Sequence, residues 1–155
     1  CYDLWSCNNL YWYLTHACSP VTDGLMPYRE ADLLRNILDR ADAALKEGKK
    51  QATLRFGHES CLLPLVALLE LNHYGESYPD VEKLSEQWRA YDIFPMASNV
   101  QFVFFHKKGS NDVLVKVLLN EKETKLPVKT DVAPYYHWKD VESYYREKLD
   151  KYQHI

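Results

Sequence analysis

The 155-residue sequence is poor in glycine, with five in all. Gly57 stands alone, so no Gly-rich loop of the kind that cradles nucleotide phosphates can be placed. The chain carries no excess of one charge. Its formal net charge is −3, which removes any electrostatic case for nucleic acid or an anionic membrane surface as a partner. No apolar run reaches the roughly 18 to 20 residues a membrane span requires. Cys1 to Leu10 lacks a basic start and an apolar middle, so no signal peptide is visible. A chain that opens on Cys1 without a Met is expected to be a processed product or a fragment. The four cysteines, Cys1, Cys7, Cys18 and Cys61, show no C-x-x-C spacing, which argues against a zinc site. Cys61, at the head of an apolar helix, is expected to be a small buried residue. The other three are open either to pairing or to staying free.

What is present fits one soluble globular domain over residues 1–155. Hydrophobic residues make up 46% and charged residues 26%, ordinary shares for a chain long enough to bury a core. Twelve Tyr and four Trp suit core and half-buried packing. The central stretch is Gln51 to Leu71, QATLRFGHESCLLPLVALLEL. Ala52, Leu54 and Phe56 alternate with Thr53 and Arg55, which predicts a strand apolar enough to be central in a sheet. Gly57 then allows a close turn. Leu62 to Leu71 is apolar on nearly every side and predicts a buried helix. A helix start near Ser60 or Cys61 would put Pro64 in the first turn, where a missing N–H costs nothing. His58, Glu59 and Ser60 fall between strand end and helix start, where open α/β sheets bind ligands and where free N–H groups favour anions.

The rest of the chain divides readily. Asp3 to Ala17 is expected to be helical, and Ser19 to Pro27 a loop. Tyr28 to Lys46 has the clearest helical periodicity, with Gly48 as a stop. A loop around Asn72 to Pro79 leads into a helix from Val81 to about Tyr91. VQFVFFH (Val100–His106) and VLVKVLL (Val113–Leu119) predict a hairpin. Asn120 to Pro134 is expected to be irregular, and Trp138 to Tyr152 an amphipathic helix with Val141, Tyr144, Tyr145 and Leu149 inward. One isolated strand and one hairpin do not complete a sheet of ordinary size. The fold class is therefore α/β with a sheet that is incomplete in this chain. The apolar strand edge left open should pair with a missing portion, dimerise or aggregate.

Motifs for several chemistries fail at defined positions. A zinc-protease helix would need a second His four residues after His58, and position 62 is Leu. A hydrolase elbow around Ser60 would need Gly at positions 58 and 62, which hold His58 and Leu62. Cys61 is followed by an apolar helix and not by a phosphate-cradling loop. Arg55 and Arg29 read as surface residues, and His73, His106, His137 and His154 carry no spacing signal. What remains is His58 with an adjacent carboxylate, Glu59, at a strand-to-helix turn.

That constellation resembles the distal motif of the histidine acid phosphatases, which include phytases and the multiple inositol polyphosphate phosphatases. There a strand ends in Gly-His-Asp, followed by small residues and a helix with an early Pro and several Leu. Leu54, Phe56, Gly57, His58, Leu62, Pro64, Leu65, Ala67, Leu68 and Leu69 match. DIFPMASNVQFVFF, around Pro95 to Phe105, is similar to the family's next strand region. The resemblance spans roughly Met26 to Leu149 and is specific around His58. It implies part of a phosphoglycerate-mutase-like three-layer α/β/α sandwich and phosphomonoester hydrolysis, with inositol phosphates among the substrates. The reaction would pass through a phosphohistidine without cofactor or metal, in a secreted or periplasmic setting. His58 would bind the phosphoryl oxygens and Glu59 would serve as acid and then base.

Two departures qualify it. The family's proximal Arg-His-Gly-x-Arg motif, which carries the nucleophile, is absent. The chain is therefore expected to be the C-terminal portion of a longer enzyme, with the remaining N-terminal portion as its partner, and to be inactive alone. The family Asp is Glu59 here, while the inositol polyphosphate branch, His-Ala-Glu, places its acid where Ser60 stands. Two other readings stay open: a non-catalytic binding module derived from the phosphatase fold, and an unrelated α/β domain.

Overall fold

A computed structural model of the protein describes residues 2–152. Helices α1 (Tyr2–His16), α2 (Ala31–Glu47) and α3 (Glu59–Leu68) come first. Two single-turn helices, α4 (Leu84–Gln87) and α5 (Ala90–Ile93), follow. Strands β1 (Val100–His106), β2 (Val113–Leu119), β3 (Lys122–Glu123) and β4 (Tyr136–His137) lead to the last helix, α6 (Trp138–Tyr152).

The hairpin forms in the register that its alternation demands, with Val100 opposite Leu119 and His106 opposite Val113. β2 is the interior strand. β1 lies on one side of it, and β3 and β4 both pair with its other side. Val115, Val117 and Leu119 alternate into the core, as period-2 geometry requires. The outer edge of β1 has no strand against it among the described residues.

α6 buries Val141, Tyr145 and Leu149. It is tied to α2 through Arg146, which bonds Asp39 at 2.9 Å and Asp42 at 3.0 Å. Trp138 Nε1 also donates to Asp42, at 2.9 Å. α2 starts three residues later than its periodicity suggests, because Met26–Glu30 forms a 3₁₀ segment ahead of it. It ends at Gly48, whose φ of 66° lets its N–H reach the Leu45 carbonyl. Leu34 and Leu38 are fully buried.

Four local expectations are corrected. The continuous helix from Val81 to Tyr91 is broken at Trp88 and Arg89, which are extended between α4 and α5. The side chain of Asn9 reaches in from α1, 79 and 81 residues away in sequence, and takes the backbone groups of Trp88 and Ala90. The expected strand Ala52–Phe56 has no ladder partner, and all of Gln51–Glu59 is exposed. Leu54 is 76% and Phe56 95% exposed. An apolar alternation is satisfied only by strands on either side, and none lies beside it among the described residues. Finally, α3 begins at Glu59, so Pro64 is its sixth residue and lies inside the helix. Cys61 is exposed and not buried. Cys7, Cys18 and Cys61 are not bonded to one another, and Cys1 lies outside the described residues.

Candidate active site

His58 is the residue that caps the start of α3. Its backbone is extended (φ −109°, ψ 164°), and its carbonyl accepts the N–H groups of Cys61 and Leu62, both at 3.0 Å. The N–H groups of the first helical turn have no partner within the helix and point outward. His58 and Glu59 therefore stand at an anion-favouring helix end. Both are exposed, and among the described residues neither side chain has a hydrogen-bond partner.

The body of α3 holds that exposed end in place. Leu63 through Leu68 are all buried, so the helix is packed on every side. Its last carbonyls are taken up by α6. Tyr145 Oη donates to Leu69 O at 2.8 Å, and Lys148 Nζ donates to Leu68 O at 2.7 Å. Lys148 also pairs with Glu70 at 3.2 Å, and Tyr144 Oη donates to the same carboxylate. Gly75 closes tightly on this corner, where a Cβ would come within 2.6 Å of the Glu70 side chain. The Pro64 ring has no N–H to give the Ser60 carbonyl.

In front of His58 and Glu59 lies an open slot of 2420 Å³ between the 48–59 segment and β1. Its floor is the second apolar stripe of α2, Leu33, Ile37, Ala41 and Leu45, with Phe102 and Phe104 of β1 beside it. Five cations line it (Arg40, Lys49, Lys50, Arg55 and Lys107) against three carboxylates (Glu30, Glu59 and Asp112). That balance attracts anions locally, although the whole chain is weakly acidic. Arg55 donates from Nη2 to Asn36 of α2 at 2.6 Å, which fixes it against α2. Arg29 is exposed on the 3₁₀ segment, as the sequence suggests.

Glu30 was not singled out by any motif. Burial pushes its carboxyl above the usual range, against the pull of Arg29 and a hydrogen bond from Cys61. It stands on the slot wall beside the first turn of α3. No periodicity or spacing in the sequence could have brought a residue of the 3₁₀ segment to that helix end.

Comparison with known proteins decides the family. The sequence profile of the histidine phosphatase superfamily (branch 2) matches residues 28–120. The chain belongs to this superfamily. Multiple inositol polyphosphate phosphatase 1 of Homo sapiens is 28% identical over 134 residues, covering 78% of this chain and 27% of the human protein. A crystal structure of Bifidobacterium longum multiple inositol polyphosphate phosphatase in complex with inositol hexasulfate matches with a TM-score of 0.65 and 26% identity. It covers 76% of this chain and 25% of that one. The apo form of the same enzyme matches with a TM-score of 0.75 and 24% identity, over 90% and 30% of the two chains. The α/β fold is thus that of the histidine phosphatases, with the sheet incomplete in this chain. The chain spans between 25% and 30% of the length of these relatives.

Proposed function

We propose that this chain supplies the phosphoryl-binding and leaving-group side of a phosphomonoesterase that works through a phosphohistidine, with inositol phosphates as its substrate class. The observation that carries the reading is the placement of His58 and Glu59. They stand exposed at the start of a buried helix, over a cation-lined slot, in a chain of the histidine phosphatase superfamily. The substrate class rests on the relatives named for inositol polyphosphates and on the inositol hexasulfate in one of them.

The nucleophilic His comes from polypeptide outside this chain. The slot beside β1, with an unpaired strand edge on one wall and exposed Leu54 and Phe56 on the other, is where that portion docks. In the first step the nucleophile's ring nitrogen bonds to phosphorus and the P–O bond to the alcohol breaks. Glu59 gives its proton to the departing oxygen. In the second, water attacks phosphorus, Glu59 takes back a proton, the P–N bond breaks and inorganic phosphate leaves. His58 and the first N–H groups of α3 hold the equatorial oxygens through both steps. Glu59 must start protonated, which places activity on the acid side of neutral. The surroundings in which such chemistry operates are secreted or periplasmic.

A second reading, a non-catalytic module of the same fold, is favoured by one feature, Ser60 where the inositol polyphosphate branch has its Glu. The test is hydrolysis of inositol hexakisphosphate by the full polypeptide between about pH 4 and 7. Turnover abolished by His58→Ala, and absent from residues 1–155 alone, is the expected result. Turnover by the isolated chain would mean the nucleophile lies within it. A full polypeptide with no activity would favour the binding module.

A further inference from the structure

His137 in β4 stands between two carboxylates. Its Nδ1 is 3.0 Å from Asp112 Oδ2 and 3.2 Å from Asp112 Oδ1, and its Nε2 is 2.8 Å from Asp131 Oδ1. Asp112 sits at the return of the β1–β2 hairpin, with its N–H on Ser110 Oγ at 3.1 Å, and it lines the slot. Asp131 belongs to a self-bonded turn in which Thr130 Oγ1 donates to Tyr135 O at 2.6 Å and Tyr135 N–H donates to Val132 O at 3.0 Å. The imidazole bridges from this turn to the hairpin, alongside Lys116 of β2, which lies over the Tyr135 ring.

Ring chemistry decides what this link can do. A carboxylate only accepts hydrogen bonds, so each contact needs an N–H from the ring. A neutral imidazole has one N–H, and an imidazolium has two. Both contacts exist together only when His137 is protonated. Loss of the proton turns one nitrogen's lone pair toward a carboxylate and breaks that contact.

We propose that His137 is a proton-operated clasp that fastens the 130–135 turn to the β1–β2 hairpin at the edge of the slot. The proposal is independent of the reaction proposed above. Hydrogen bonds from His137 to Asp131 and then Asp112 raise its proton affinity above the ordinary value of 6.5, and the same bond lowers that of Asp131. The other charged groups near it are committed elsewhere. Lys116 of β2 pairs with Glu123 at 3.0 Å and lies over the Tyr135 ring. His106 of β1 contacts the Ser110 carbonyl at 2.7 Å, and Lys139 and Asp140 of α6 are exposed. Because the folded value is raised, the clasp is closed below 6.5 and opens as pH rises through the folded value. The bridge needs both contacts at once, so loss of either one separates Asp131 from Asp112.

The test is a histidine Cε1 titration by NMR on the full-length protein, with the His137 signal assigned from its loss in His137→Gln. Hydrogen exchange of the amides of the 130–135 turn, corrected for intrinsic base catalysis, is followed across the same pH range. We expect a His137 midpoint above 6.5, lowered by Asp131→Asn and by Asp112→Asn and returned to the ordinary value in the double variant. Both substitutions are isosteric and exposed, so the fold tolerates them. Exchange in the turn should step up through the wild-type midpoint and lose that step in the double variant. A midpoint at or below 6.5, a midpoint unmoved by either substitution, or exchange in the turn that is flat through the midpoint would each overturn the clasp.

Discussion

The Asn9 side chain holds the Trp88 carbonyl, with Nδ2 donating at 3.0 Å, while its Oδ1 accepts the Ala90 N–H at 2.8 Å. Asn9 is 2% exposed and Trp88 1%. An amide offers one donor and one acceptor on the same plane, and the broken strand-like step at 88–89 offers their complements. Asn9→Leu keeps approximate volume but leaves a buried carbonyl and a buried N–H without partners. Each such orphan costs about 1–3 kcal/mol, so the variant should lose about 2–6 kcal/mol in urea unfolding followed by tryptophan fluorescence. A loss below about 0.5 kcal/mol, the range of an ordinary surface substitution, would show that water replaces the amide there.

That pair also explains where sequence reading stops. The hairpin, α2 and α6 are written in local periodicity, and Val100–His106, Val113–Leu119 and Trp138–Tyr152 form over the spans it predicts. The break at Trp88 depends on a side chain 79 residues away, which no window of local pattern contains. The Ala52–Phe56 alternation is a real strand signal without a partner to answer it. His58 was singled out from the run Gly57-His58 ahead of an apolar helix containing Pro64, and it does stand at the start of that helix. Glu30 was not, because it reaches that helix end only through the packing of the 3₁₀ segment on α3.

Leu54 and Phe56 are 76% and 95% exposed, so the isolated chain gains nothing from their apolar character. Replacing both with Ser should leave its urea midpoint unchanged to within about 0.5 kcal/mol. Association of the isolated chain by light scattering should fall. In the full-length protein the same double substitution should be destabilising by several kcal/mol, since large apolar side chains lost from a core cost about 2–5 kcal/mol each. Equal effects in the two settings would mean that the 51–58 segment stays open in both.

Arg146 gathers Asp39, Asp42 and Glu142 at 2.9, 3.0 and 2.7 Å. Burial alone would raise Asp42, but hydrogen bonds from Trp138 and Arg146 together with the guanidinium charge hold it below its ordinary 3.8. A lowered carboxyl contributes stability that is present above the unfolded value and lost as pH falls through the folded one. Arg146→Met should therefore cost about 1–3 kcal/mol at pH 7, partly screened because the cluster is solvent-accessible. The cost should shrink as pH is lowered below 3.8, when the carboxylates no longer need the cation. Urea midpoints of both proteins from pH 3 to 7 test this range around the carboxyl values. A pH-independent difference would assign the effect to packing of the Arg stem.

Glu59 and His58 can be separated by the leaving group. An inositol or alkyl alkoxide is a poor leaving group and takes a proton as the P–O bond breaks, whereas p-nitrophenolate departs without one. General acid catalysis is worth about 10²–10⁴-fold. Glu59→Gln keeps size and hydrogen bonding but has no proton to deliver. In the full-length enzyme it should lower kcat/KM for alkyl and inositol phosphates by about that factor and for p-nitrophenyl phosphate far less. On the proposed reading His58 holds the phosphoryl group itself, so with His58→Ala both substrate types should fall together. Ser60→Ala is the control for the neighbouring position, since a hydroxyl supplies no acid and the two substrates should respond alike. Equal losses on both substrates for Glu59→Gln would take the acid role from Glu59 and leave Glu30, on the same slot wall, as the next carboxyl to test.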